Sequence, residues 1–223
     1  VSTTDGHKDI AHKIAPYLRD GQVILLNPGH VGGAMEVSHI IRQELGCTAK
    51  VIIAEAGDLM YACRISETGF PFHSGLKKKT EVAALPTSDT QAAVELLQPY
   101  FPNLVAAKTV LETGFAGGGA MLHPIPTLMN IVKTDAQTPY DYYMEGVTPS
   151  VAKLVERADK ERLAVCRALG LDGVPSLVKS LQGIYGLTQD DLYDLLQHNK
   201  AYVGVKCPMD LYHRFLVEDT LCG

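Results

Sequence analysis

Within its first 55 residues the chain switches twice between a helical period and a short, almost wholly apolar run, and few folds accommodate that order. Between Asp5 and Leu18, Ile10, Ile14, Ala15 and Leu18 recur at the three- and four-residue spacing of one helix face. Thr4 or Asp5 can cap its free amides, and Pro16 shortens or kinks its last turn. Gln22 to Leu26 is nearly continuous in apolar residues, as a strand covered on both faces is. Asn27-Pro28-Gly29 interrupts it. Helical spacing returns from Gly33 to Leu45 through Met35, Val37, Ile40, Ile41 and Leu45, and Gly46 stops it. Lys50 to Ala54 reads as a second buried strand. Strands separated by helices call for crossover connections, hence parallel strands in an α/β sheet. The strand before Asn27 is expected to be central, with the 27–29 turn at its carboxyl end, where open α/β sheets take ligands.

The pattern then changes. From Tyr61 to Ala84 no long helical period survives; strand-like pieces near Ala62–Ser66 and Thr80–Leu85 are separated by Gly69, Pro71 and Gly75, and are expected as mixed or antiparallel strands at the sheet's far edge. A helix is expected over Asp89–Leu97 and a last strand near Val105–Val110. After Gly114 the chain is helical. Pro124 opens a helix running to about Lys133, and Thr148-Pro149 opens a long one ended by Gly170. The long helix is expected to bury Val151, Leu154, Val155, Ala158, the stem of Arg162, Val165 and Leu169. Shorter helices follow at Ser176–Gln182, Gln189–Gln197 and Pro208–Val217. The fold class expected is therefore α/β: a partial Rossmann-like, doubly wound sheet over residues 1–115, followed by an all-α domain over 116–223.

Composition excludes several function classes. A net charge of −5 with both signs scattered leaves no basic stripe for nucleic acid. The five cysteines form no C-x-x-C pair, which argues against a disulfide framework or a structural zinc site and for a reducing, cytoplasmic setting. No apolar run approaches the roughly 20 residues of a membrane span, and no basic-then-apolar leader opens the chain. No two histidines fall at i, i+3 or i, i+4 on one helix, so no metal site is expected.

Three glycine-bearing stretches invite a phosphate reading. Asn27-Pro28-Gly29-His30-Val31-Gly32-Gly33 lies between a strand and a helix, where backbone amides can face an anion. Glu55 ends the next strand, near where a ribose-binding carboxylate would sit. The glycines do not spell G-x-G-x-x-G, however, and a plain tight turn fits as well as a cofactor contact. Gly117-Gly118-Gly119 reads as a joint between domains, and Gly69 to Gly75 as hairpin turns. His123 stands just after that joint and just before the Pro124 helix, a place for a ligand-facing imidazole or for an ordinary capping histidine.

Several stretches in order resemble the NAD/NADP octopine/nopaline (opine) dehydrogenase family over nearly the whole chain. They are Ala11 to Gln22 running into Leu26-Asn27-Pro28-Gly29 and Gly32-Gly33-Ala34; Tyr61-Ala62-Cys63-Arg64; Val82 to Pro86; His123-Pro124 with Asn130; Glu145 to Val151 into Glu156-Arg157-Ala158-Asp159; and Phe215 to Asp219. The resemblance implies an NAD- or NADP-dependent oxidoreductase. It would condense the amine of an amino acid with a 2-keto acid and reduce the imine, or run the reverse oxidation. His123 would be the acid/base and Asp219 its orienting carboxylate. Cys63 and Asn130 would line the substrate, and Asn27, Pro28 and Gly29 would lie near the cofactor. The partners implied are small molecules, with neither nucleic acid nor membrane; a homodimer is left open. Two departures stand out. The family begins with a strand and a G-x-G-x-x-G turn, absent here, and continues past the Glu-Asp pair. A piece of a longer protein is therefore expected, or else a relative that has lost cofactor binding. Ala56 to Met60 also differs where the family carries a threonine, which affects a keto-acid contact. A non-catalytic scaffold on the same fold and another two-domain hydroxy-acid dehydrogenase remain the alternatives.

Overall fold

The computed structural model describes residues 4–67, 70–76 and 79–221, without the side chains of 62–67, 71–76 and 221. It divides into two compact units, 1–117 and 118–223.

The first unit is built on a four-stranded sheet. Its strands are β1 (Val23–Leu26), β2 (Ile52–Ala56), β5 (Thr80–Leu85) and β6 (Leu104–Ala106), in the order β1-β2-β5-β6. β1 and β2 are parallel, as are β5 and β6, while β2 and β5 run antiparallel. Alternate residues supply the two faces, as the pleat requires. Ile24, Leu26, Ile53, Ala83 and Leu85 pack against α1 (His7–Ile14), α2 (Gly33–His39, continued by a π-helical turn over Ile40–Glu44) and α4 (Val110–Ala116). Leu25, Ile52, Ala54, Ala56, Val82 and Ala84 pack against α3 (Thr90–Leu97). Helices on both faces of a largely parallel sheet make this the doubly wound α/β arrangement the alternating pattern implies.

Three local expectations are corrected. β1 is an edge strand among the described residues, paired only with β2, and its four residues are half-buried. An apolar run reports coverage of the two faces, which the helices supply, and says nothing about neighbours along the sheet. β5 lies inside the sheet. β3 (Tyr61–Glu67) and β4 (Phe70–Leu76) leave it to form their own antiparallel hairpin.

The second unit is helical. It comprises α5 (Gly119–Leu122), α6 (Pro124–Met129), α7 (Ile131–Asp135), α8 (Pro149–Ala168), α9 (Leu177–Tyr185), α10 (Leu192–His198) and α11 (Arg214–Leu221). The single helix expected over 124–133 is broken at Asn130. Thr148 caps α8 by accepting the Val151 amide, and Ser176 caps α9 through the Lys179 amide. The core joins Tyr142, Val147, Val155, Leu192, Leu195 and Leu196, all essentially inaccessible. The buried stripe of α8 is rotated from the expected one. Leu154, Val165 and Leu169 are exposed, while Ala152, Asp159 and Cys166 are buried. The cause is a buried polar cluster: Asp159 accepts from Arg162 Nη2 at 2.6 Å and Nε at 2.9 Å, and from the Leu177 amide at 2.8 Å. That pairing turns a charged position inward. No described helix is long and apolar enough to cross a membrane.

Candidate active site

His123 ends α5 and caps α6. Pro124 fits the first helical position, because the amide it lacks would have no partner there. The His123 carbonyl is held by Thr127 Oγ1 at 2.8 Å and by the Tyr142 hydroxyl. Burial raises Tyr142 above the ordinary phenol range, so it stays a neutral donor near neutral pH. The backbone under the imidazole is thus fixed from the turn at 141–146.

The ring itself is held on three sides. Nδ1 lies 2.8 Å from Asp219 Oδ2 although 96 positions separate the two residues. Nε2 lies 3.2 Å from the Tyr143 hydroxyl. The Phe215 ring stacks on one face, with centroids 3.9 Å apart and planes within 9°. Asp219 is 5% exposed, and the His123 side chain 17%. Phe215 and Asp219 sit four residues apart on α11, so one face of that helix delivers both the stacking ring and the carboxylate. α11 starts six residues later than the expected 208–217 helix and carries Asp219 inside it rather than beyond its end. Its first turn is closed by His213 Nδ1, which accepts the Phe215 amide at 3.3 Å. Burial and the neighbouring Arg214 lower the pKa of His213, favouring the neutral ring that can accept. A carboxylate on Nδ1 fixes the neutral His123 tautomer with its hydrogen there and leaves Nε2 as the exchangeable site.

The other expected residues fall elsewhere. Asn130 joins α6 to α7 and donates through its amide nitrogen to the Pro126 and Gly146 carbonyls, both at 2.8 Å; both hydrogens are spent on the fold. Cys63 lies on β3 opposite His73, with its side chain outside the described residues. Asn27, Pro28 and Gly29 follow β1 in the first unit. There Asn27 Oδ1 accepts the Met60 amide at 3.2 Å, and the Gly29 amide donates to the Ala56 carbonyl. Glu55 points inward and is wholly buried, which corrects its reading as a ribose-facing carboxylate. It accepts from the Ala34 amide at 2.9 Å and from Thr113 Oγ1 at 2.7 Å. A Cβ on Gly29 would come within 2.5 Å of its side chain. Desolvation pushes the Glu55 carboxyl up to about 6.

This arrangement tests whether the 27–34 turn can hold a dinucleotide. A phosphate cradle at a helix start needs free amides. Here an internal carboxylate occupies the Ala34 amide, and the Gly29 amide is spent on the sheet. Two of the turn's backbone amides are therefore already taken. Among the described residues, no group of three or more His, Cys, Asp or Glu side chains is placed to hold a metal ion.

The sequence reading missed Tyr143, gave Phe215 no role, and took Gly119 for a flexible joint. A Cβ on Gly119 would meet Asp219 Oδ1 at 2.5 Å, so the glycine makes room for the carboxylate beside His123. The run Tyr140-Asp141-Tyr142-Tyr143 was the available signal for an aromatic wall.

The sequence model of the family described as NAD/NADP octopine/nopaline dehydrogenase, alpha-helical domain, matches residues 106–223, more than half of the chain. The chain belongs to the opine dehydrogenase family. It is 36% identical to an opine dehydrogenase of Arthrobacter sp. (strain 1C) over 97% of its own length and 60% of that protein's. It is 29% identical to a vitopine synthase of Allorhizobium ampelinum over 76% of the chain and 47% of that enzyme. Among solved structures, octopine dehydrogenase with NADH and L-arginine superposes with a TM-score of 0.77 at 21% identity. That match covers all of this chain and 61% of the other. The fold is therefore that of octopine dehydrogenase, and the chain spans about 60% of the length of the Arthrobacter opine dehydrogenase and of octopine dehydrogenase.

Proposed function

We propose that this chain is the acid–base portion of an opine-forming dehydrogenase. The protein would join the amine of an amino acid to a 2-keto acid with NADH or NADPH as reductant, and would reverse that reaction. The observation that carries the proposal is the His123 ring held between Asp219 and Tyr143 over Phe215. Structures of similar fold hold NADH with L-arginine, NADH with pyruvate, or NADP+, which supports this substrate and cofactor class.

The chain's own residues handle protons. As a base, His123 takes a proton from the amino group that attacks the keto carbon; as an acid, it returns one to the hydroxyl that leaves as water. Asp219 keeps the ring in one tautomer and stabilises its charged form. A nicotinamide cofactor, when bound, would supply the hydride for the reduction. Asn27, Pro28 and Gly29 would line that cofactor, and Cys63 and Asn130 the substrate. Residues 1–115 would act as the cofactor-side domain and 116–223 as the catalytic helical domain.

The test is His123→Ala in the full-length protein, assayed with pyruvate and a panel of L-amino acids. Turnover should fall by about 100-fold or more, the scale of general acid–base catalysis, with nicotinamide binding unchanged. Near-normal turnover refutes the assignment.

A further inference from the structure

Both nitrogens of the His123 ring are engaged by side chains of its own unit. Nδ1 faces Asp219 Oδ2 and Nε2 faces the Tyr143 hydroxyl. An ionised carboxylate only accepts, so Nδ1 keeps its hydrogen, and the proton that comes and goes is the one on Nε2. The hydroxyl of Tyr143 is the described side-chain group on that nitrogen, 3.2 Å away. We infer that Tyr143 relays the proton between His123 Nε2 and the reacting group of the substrate. The inference rests on the reading of His123 as the acid/base.

The chemistry of a phenol suits the task. Its O–H donates to the lone pair of the neutral ring, and its oxygen accepts from the N–H of the charged ring, so one geometry serves both states. When the histidine takes up a proton, the Tyr143 O–H bond breaks as its hydrogen passes to Nε2. A new O–H bond forms with the hydrogen leaving the substrate's nitrogen. When the histidine gives its proton up, Nε2 returns a hydrogen to the tyrosine oxygen, which passes its own to the departing hydroxyl. Nothing is oxidised or reduced, and Tyr143 is a neutral phenol before and after. The two transfers are coupled, because a free tyrosinate, with an ordinary pKa of about 10, would be costly at neutral pH.

The surroundings hold Tyr143 to this place. Its ring stacks on Tyr202 at 4.0 Å and meets Tyr142 edge-on at 5.0 Å. Its carbonyl accepts from Gln197 Nε2 at 3.3 Å, and it is 4% exposed. Swinging aside to bare Nε2 would break the Tyr202 stack and expose an aromatic ring.

The test is Tyr143→Phe in the full-length protein, which keeps the ring and its stack and removes the relay. With pyruvate, the best-turned-over L-amino acid and the preferred nicotinamide, kcat should fall about 100-fold while KM values and nicotinamide Kd stay within about 2-fold. The wild type should show a curved dependence of rate on deuterium content, as two moving protons require. The variant should show a smaller effect that is linear. An unchanged or higher kcat in Tyr143→Phe overturns the relay. In parallel, nitrogen NMR of the His123 ring reads the contact without turnover. A shift of the Nε2 resonance in Tyr143→Phe, larger than that of Nδ1, supports it, and an unmoved Nε2 resonance overturns it. If His123→Ala retains turnover, the acid–base reading has failed by itself, and the nitrogen measurement still decides whether Tyr143 engages Nε2.

Discussion

A side chain as small as one methyl group decides whether Asp219 can stand beside His123. The space where a Gly119 Cβ would sit is 2.5 Å from Asp219 Oδ1, closer than carbon and oxygen approach without bonding. Gly119→Ala should push the carboxylate off Nδ1 and lower kcat by about 10-fold or more, with a helical circular dichroism spectrum unchanged. A variant as active as wild type would show that Asp219 is not needed where it stands. Glu55 makes a residue-scale expectation of another kind, in pH. Burial raises its carboxyl from 4.5 to about 6. The folded state therefore prefers the protonated acid. Its contribution to stability is fully present below pH 4.5, declines as the unfolded chain ionises ahead of the folded one, and is gone above about pH 6. The difference is worth about 2 kcal/mol. Glu55→Gln can still accept from the Ala34 amide and can donate to Thr113 Oγ1, which turns its own hydrogen to the Val110 carbonyl 2.9 Å away. Denaturant midpoints of the wild type should fall relative to Glu55→Gln between pH 4.5 and 6; parallel curves would contradict the raised carboxyl.

Among the elements, α8 shows why a buried charge is hard to see in a sequence. Its hydrophobic spacing points to a stripe through Leu154, Val165 and Leu169. The fold instead buries Asp159, which ties Arg162 to the first amide of α9. Asp159→Ala would leave the 9%-exposed Arg162 side chain without its carboxylate, at a cost of about 3 to 5 kcal/mol. Asp159→Asn, which still offers an oxygen to Leu177, should cost less. Equal midpoints for the three proteins in chemical denaturation would remove the cluster from the account of how α8 and α9 join. The same limit runs through the other elements. The cap at Thr148 was legible because its signal is local, whereas α1 starts from Gly6 without a side-chain cap and neither Thr4 nor Asp5 takes that place. The β1-α2-β2 alternation was legible because two periods differ. The edge position of β1, the separation of the β3–β4 hairpin from the main sheet, and the break at Asn130 were not, since each depends on how segments apart in sequence pack. At the site, the His123–Asp219 pair was reachable through family resemblance. Phe215 and Gly119 were not, because their roles depend on partners far along the chain, and Tyr143 was signalled only by the aromatic run it shares with Tyr140 and Tyr142.

On the scale of the whole molecule, the family match over 106–223 covers the helical unit, which carries His123 and Asp219, while the likeness to octopine dehydrogenase in fold extends over the entire chain. The two units thus divide the labour expected of such an enzyme unequally. The His123–Asp219 pair lies within 118–223, whereas in the sheet unit the Ala34 and Gly29 amides of the 27–34 turn are already taken. Tight binding of a dinucleotide draws on pyrophosphate contacts at a helix start. At α2 the Ala34 amide is already taken by Glu55. At α4 the Glu112 amide is already taken by the capping Thr109 hydroxyl. A polypeptide of these 223 residues should therefore bind NADH and NADPH weakly, far from the micromolar range that corresponds to about 8 kcal/mol. A full-length version containing the family's glycine-rich turn should reach that range. Fluorescence titration of both proteins with both nucleotides makes the comparison. Micromolar binding by the 223-residue chain would overturn this expectation. The variant Glu55→Gln then separates the two ways this could happen: a carboxylate that withdraws to admit phosphate makes binding tighter when its charge is removed, and a site elsewhere leaves the affinity unchanged.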